Sequence, residues 1–154
     1  MTTLQLPDVE LAGQPAAYWT GVAYESIIAF TRARQAELGL TQPQFWLLRN
    51  LSKNDLLPDG GGRTVPELRQ AMTSYLRAED DLDVEADALV DRGWLSRDEN
   101  GRLRITEAGE NARTRLSQHA PAIRALIHKD IDDKEYITAL KVLRQLILNT
   151  GGSA

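Results

Sequence analysis

Apolar positions recur at helical spacing along most of this chain, and at a two-residue spacing in only one short stretch. From Ala16 to Leu38, Trp19, Ala23, Ile27, Phe30 and Ala33 form one stripe, widened by Tyr18, Val22, Ala29 and Ala36, and Gly39 stands where a C-cap glycine would end the helix. So broad an apolar face calls for two packing partners. Thr41-Gln42-Pro43-Gln44 reads as a capping box opening a second helix, with Phe45, Leu48 and Leu51 inward and Trp46 and Leu47 flanking. Residues 54–62, ending Pro58-Asp59-Gly60-Gly61-Gly62, read as loop; without a preceding strand or a Gly-Lys-Ser/Thr end, the three glycines do not make a phosphate-binding loop. Thr64-Val65-Pro66-Glu67 repeats the capping-box pattern before Leu68, Ala71, Met72 and Tyr75. Leu82, Ala86 and Leu89 mark a fourth helix with Asp80 or Asp81 near its N-cap, and Gly93 ends it. Thr106 caps a helix through Ala108, Ala112 and Leu116 that breaks near Pro121. A segment with Ile123, Leu126, Ile127 and Ile131 follows, and then a final helix after Asp132 with Tyr136, Ile137, Leu140, Leu143, Leu146 and Ile147 apolar, ended by Gly151-Gly152.

The stretch from Trp94 to Thr106 is the exception. Asn100-Gly101 between two runs of alternating side chains predicts a two-residue type I′ turn, because both turn positions need positive φ. That turn pairs Glu99 with Arg102, Asp98 with Leu103, Arg97 with Arg104 and Ser96 with Ile105, so Arg97, Arg102 and Arg104 share a face. Arginines opposite one another repel, and an anion between them would relieve the repulsion. A phosphate-binding ribbon and a solvated hairpin with charged edges both fit this pattern. The fold class is mainly α with one small β-hairpin.

Composition narrows the functions. The 154 residues suffice for one domain, or for a small domain with helices that need a partner. A net charge of −4 confines any nucleic-acid site to a local patch. Without cysteine there is no disulfide, thiolate zinc site or cysteine sensor, and the two histidines, His119 and His128, lie nine residues apart across Pro121 and share no helical face; no metal or cofactor is expected. No nucleophile–base set, carboxylate pair or phosphate loop can be assembled, which argues against an enzyme. The N-terminus has no export signal and no apolar run is long enough to span a bilayer, so a cytoplasmic protein is expected. Residues 1–15 read as a flexible arm and 150–154 as a tail.

Thr41-Gln42-Pro43-Gln44-Phe45-Trp46-Leu47-Leu48, Thr64-Val65-Pro66-Glu67-Leu68, Leu89-Val90-Asp91-Arg92-Gly93-Trp94-Leu95-Ser96-Arg97 and Leu103-Arg104-Ile105-Thr106-Glu107-Ala108-Gly109 follow one another in an order that resembles the MarR family of bacterial transcription regulators. The resemblance spans roughly residues 16–148. It implies a winged helix-turn-helix over 41–106 held between dimerisation helices at 16–40 and 107–149, in a triangular homodimer that presents two wings and two recognition helices to a palindromic operator in double-stranded DNA. The physics supports the dimer, since both chain ends carry more apolar face than a small winged domain can cover. The resemblance also implies a cleft for a small aromatic effector, for which Tyr18, Trp19, Tyr24, Trp46 and His119 are candidates, although aromatics at helical spacing commonly serve as core.

For DNA the candidates are Arg97, Arg102 and Arg104, with Arg77, Arg69, Ser74 and Arg63 behind them. The chain departs from the family in two ways. The wing is short, and the helix in the recognition position carries Glu79, Asp80, Asp81, Asp83, Glu85, Asp87 and Asp91 against a single Arg92, with Asp80, Asp83, Asp87 and Asp91 expected on one stripe. Helices that enter a major groove usually offer cations and amides. Two readings follow: a ligand-responsive DNA-binding dimer, for which residues 73–77 are an alternative docking part with the acidic stripe turned aside, or a winged-helix dimer whose acidic helix docks a basic protein.

Overall fold

The computed structural model describes residues 5–154. The chain divides into two compact units, one ending at Gln118 and one spanning His119–Ala154. Of the predicted arm, residues 1–4 lie outside the described residues, and the remainder is not featureless: α1 (Asp8–Leu11) forms one helical turn after Pro7.

The first unit continues with α2 (Ala16–Glu37), α3 (Gln42–Leu51), α4 (Val65–Ala71), α5 (Leu82–Asp91), the strands β1 (Leu95–Arg97) and β2 (Leu103–Ile105), and α6 (Glu107–Ser117). Local chemistry fixes most of these boundaries. At Thr41 both halves of the capping box form: its hydroxyl accepts from the Gln44 amide and the Gln44 side chain accepts from the Thr41 amide. At Thr64 only the first half forms, because the Glu67 carboxylate turns instead to Arg102. Asp81, rather than Asp80, caps α5 by accepting from the amides of Asp83 and Val84.

The core is built from one face each of α3, α4, α5 and α6 and from the hairpin, with Leu47, Leu48, Leu68, Met72, Leu89 and Leu103 all fully buried. The periodicity had Phe45 inward and Leu47 flanking; in the fold Leu47 is buried and Phe45 packs only part-buried against the cluster. On α6, Ala108 is exposed and Gly109 is buried instead. The Gly109 position tolerates no side chain, since a Cβ there would sit 2.1 Å from the Trp94 carbonyl oxygen. That contact seats the start of α6 against the residue before β1.

The hairpin register differs from the predicted one by a single residue. Leu95 pairs with Ile105, Ser96 with Arg104 and Arg97 with Leu103. The loop is a three-residue turn in which the Gly101 amide donates to the Asp98 carbonyl at 3.0 Å, with Gly101 alone at positive φ. The Asp98 carboxylate accepts from the amides of Asn100 and Arg102, both at 2.9 Å. The cause is packing. This register puts Leu95, Leu103 and Ile105 on one face toward the core, whereas the two-residue turn would have sent Leu95 and Leu103 to opposite faces. A third strand-like segment, which the sequence did not suggest, pairs with β2 from its other side: the amides and carbonyls of Arg63 and Leu103 exchange hydrogen bonds of 3.1 and 2.7 Å.

The second unit holds α7 (Ala120–Ile127), with Pro121 in its first turn, and α8 (Asp133–Asn149), capped by Asp132. Neither helix contains a buried residue. Ile137, Leu140, Val142 and Leu148 on α8 are about half exposed. No helix among the described residues is long and apolar enough to cross a membrane.

Candidate nucleic-acid interface

Helices α4 and α5 and the hairpin converge on an open groove of about 590 Å³, lined by Thr64, Val65 and Pro66 at the start of α4, Asp83 and Asp87 on α5, and Arg97, Asn100 and Gly101 of the hairpin. Its position follows from the core: Leu82, Ala86 and Leu89 face inward, which leaves Asp83 and Asp87 outward along the groove.

The register change redistributes the wing arginines. Arg97 and Arg104 no longer stand opposite one another, so the expectation of three arginines on one face is corrected: Arg97 pairs with Leu103 and Arg104 with Ser96, on opposite faces of the ribbon. Each meets an acceptor. The Arg97 guanidinium lies 3.0 Å from Asp87 on α5. Arg102 donates to the Gly62 carbonyl at 3.1 Å and to Glu67 on α4 at 3.4 Å. Arg104 reaches the Gly60 carbonyl at 3.5 Å and lies 4.0 Å from Asp98.

Among the other candidates, Arg69 on α4 pairs with Asp83 at 3.2 Å, Ser74 is exposed in the turn between α4 and α5, and Arg63 supplies the backbone bridge to β2. Arg77 points to α2, with Glu25 at 2.7 Å and Glu79 at 2.8 Å, and those two carboxylates raise its pKa. The Arg–Asp pairs on the groove are exposed on both sides, and such pairs are worth only about 0–1 kcal/mol in water. Carboxylate partners held so weakly are readily exchanged for phosphate oxygens.

The acidic stripe is also shorter than expected. Asp80 turns away from it, with a side chain only 6% exposed and both oxygens 2.8 Å from Arg32. The Arg32 hydrogen bonds hold its carboxyl below the usual Asp range, outweighing the opposing effect of burial. Glu85 accepts from the Thr41 hydroxyl at 2.8 Å and Asp81 caps the helix. Asp83, Asp87 and Asp91 remain exposed on α5.

The aromatic candidates fall into separate sets. Tyr18 and Trp19 meet edge-on on α2 with ring centroids 5.5 Å apart. Tyr24 lies beneath Arg77 at 6.0 Å. Trp46 stacks on Tyr75 at 3.9 Å, with Arg49 on it at 4.7 Å. His119 stands at the N-cap of α7, in the second unit. Residue-type reasoning put Asp80, Asp83 and Asp87 on one acidic stripe and Glu67 in a capping box, but missed their arginine partners Arg32, Arg69, Arg97 and Arg102. Only the odd concentration of acids around α5 hinted that many of them had partners elsewhere in the fold. Among the described residues no group of three or more His, Asp or Glu side chains could hold a metal ion.

No family model matches the chain, and no curated protein does. Solved structures do. The reduced form of MarR from E. coli superposes with a TM-score of 0.66 at 18% identity, over 87% of this chain and 94% of that one. A MarR family protein of Mycobacterium tuberculosis in complex with DNA gives 0.65 at 19% identity, over 86% and 98%. BpsR of Bordetella bronchiseptica, whose DNA binding is regulated by 6-hydroxynicotinic acid, gives 0.63 at 17% identity, over 86% and 93%. At such identities the likeness is one of architecture: the chain has the MarR-type winged-helix fold.

Proposed function

We propose that this protein is a cytoplasmic, dimeric transcription regulator that binds palindromic operator DNA through α5 and the hairpin. The observation that carries the reading is the groove between α5 and the wing, lined by Arg97 in an exposed, weak ion pair with Asp87, with the exposed Arg69–Asp83 and Arg102–Glu67 pairs on the same elements. A duplex brought to this groove exchanges those carboxylates for phosphates. The similarity to a structure determined with DNA supports the same direction. Arg97, Arg102 and Arg104 are assigned to phosphates or the minor groove, with Arg69, Arg63 and Ser74 flanking. The exposed apolar residues of α2 and of α8 are assigned to a second copy of the chain. A small aromatic acid is assigned as the effector, on the strength of the exposed Tyr18, Trp19 and Tyr24 on α2 and the ligand named for BpsR.

Fluorescence anisotropy on duplex DNA from upstream of the protein's own gene, repeated at rising salt, tests the reading. Specific binding should weaken steeply with salt, and Arg97→Ala with Arg104→Ala should abolish it. The exposed Asp83, Asp87 and Asp91 favour a second reading, in which α5 docks a basic protein. Absence of specific DNA binding at low salt would decide for that reading.

A further inference from the structure

The turn between α4 and α5 is tied to α2 by two ion pairs that run in opposite senses. Asp80, in the turn, takes both terminal nitrogens of Arg32 at 2.8 Å each and the backbone N–H of Arg77 at 2.8 Å. Arg32 is itself aimed by Gln42 at the start of α3, whose Oε1 accepts from its Nε at 3.0 Å. In return Arg77, in the turn, reaches Glu25 on α2 at 2.7 Å. Glu25 and Arg32 are seven residues apart, two helical turns, and so lie on one face of α2. Each element thus contributes one cation and one carboxylate. Bidentate arginine–carboxylate geometry fixes orientation as well as distance. Asp81, which caps α5, follows Asp80 directly, so the first turn of α5 is placed by the residue that Arg32 holds. Tyr75 of the same turn stacks on Trp46 of α3, a third attachment. Neither ion pair lines the groove between α5 and the wing.

We propose that the Arg32–Asp80 and Glu25–Arg77 pairs are a reciprocal clamp that positions the start of α5 against α2, so that DNA affinity depends on four side chains that do not touch DNA. The inference rests on the DNA-binding reading for its effect on affinity, and it gives Arg77 a positioning role in place of a phosphate contact. Because α2 also carries the exposed Tyr18, Trp19, Val22 and Ile27, whatever covers those residues is mechanically connected to α5 through this clamp.

The test uses the full-length protein with Arg32→Ala, Asp80→Asn, Arg77→Ala and Glu25→Arg, and with the exchange variant Glu25→Arg/Arg77→Glu. Amide hydrogen exchange over residues 73–82 is read without DNA, and operator affinity is read across a salt series. The single variants should speed exchange in that segment at least fivefold and weaken specific binding at least fivefold, with the salt slope unchanged. Arg97→Ala should instead lower that slope by about one. The exchange variant should recover protection and affinity relative to Glu25→Arg. Unaltered exchange in both Arg32→Ala and Glu25→Arg overturns the clamp, and so does a salt slope lowered by about one in Arg77→Ala. If Arg32→Ala and Asp80→Asn do not fold, the exposed Glu25 site decides alone, and unaltered exchange in Glu25→Arg overturns the clamp. If the wild type binds no DNA, the functional reading falls, and the exchange measurement still decides whether the clamp exists.

Discussion

The winged part of the molecule and its last helix spend apolar residues in opposite ways. Around α3, α4 and α5, leucines at helical spacing are buried within the first unit, and Leu47, Leu48, Leu68 and Leu89 have no exposed surface. On α8, Ile137, Leu140, Leu146 and Ile147 follow the same spacing, yet each keeps between 37% and 49% of its surface exposed. α2 resembles α8, with only Gln35 buried over 22 residues. Identical periodicity therefore signals a core in one place and an uncovered face in the other, and the sequence pattern alone does not distinguish them. Where the contrast matters is in what a mutation does: in the winged part it should cost stability, in α8 it should cost association.

The largest expected effect is Gly109→Ala. Its Cβ would collide with the Trp94 carbonyl, so loss of at least about 4 kcal/mol is expected, seen as a large fall in the midpoint of a urea transition followed by circular dichroism. Leu48→Ala should cost about 2–5 kcal/mol by the same measurement through the cavity it leaves. Ile137→Ser with Leu140→Ser should leave far-ultraviolet dichroism unaltered while light scattering after size exclusion reports a monomer in place of a dimer; a wild type that is already monomeric breaks the comparison.

A smaller effect is expected from pH. The folded-state pKa of Asp80 is depressed, so its ion pair stabilises the protein above the unfolded Asp value near about 4, and that contribution is lost as pH falls through the lower folded value. Asp80→Asn should flatten the decline of stability below pH 4. Glu110 behaves alike: burial raises its pKa, but the Ser52 hydroxyl at 2.6 Å and Arg113 outweigh burial and leave it lowered. The smallest effect is Tyr75→Ala, which removes the stack on Trp46 and should cost about 0.5–1.5 kcal/mol beyond lost burial, with a change in tryptophan emission.

Residues within a few positions of one another settled what could be read directly. Thr41, Thr64, Thr106 and Asp132 cap the helices they precede, Leu82, Ala86 and Leu89 face inward, and Pro121 opens a new helix, because caps and periodicity act over one or two turns. The hairpin shows the limit. Asn100-Gly101 located the turn, but the register was chosen by Leu95 and Leu103 seeking the same core, together with the backbone bridge from Arg63, forty residues upstream of Leu103. Only the tertiary structure could decide the fate of the charges. Asp80 and Asp87 are alike in the sequence, yet one is enclosed by Arg32, 48 residues away, and the other stays on an open groove beside Arg97. A charged side chain's role depends on which distant partner the fold brings within hydrogen-bonding distance and how much water it removes, and neither quantity has a local signature.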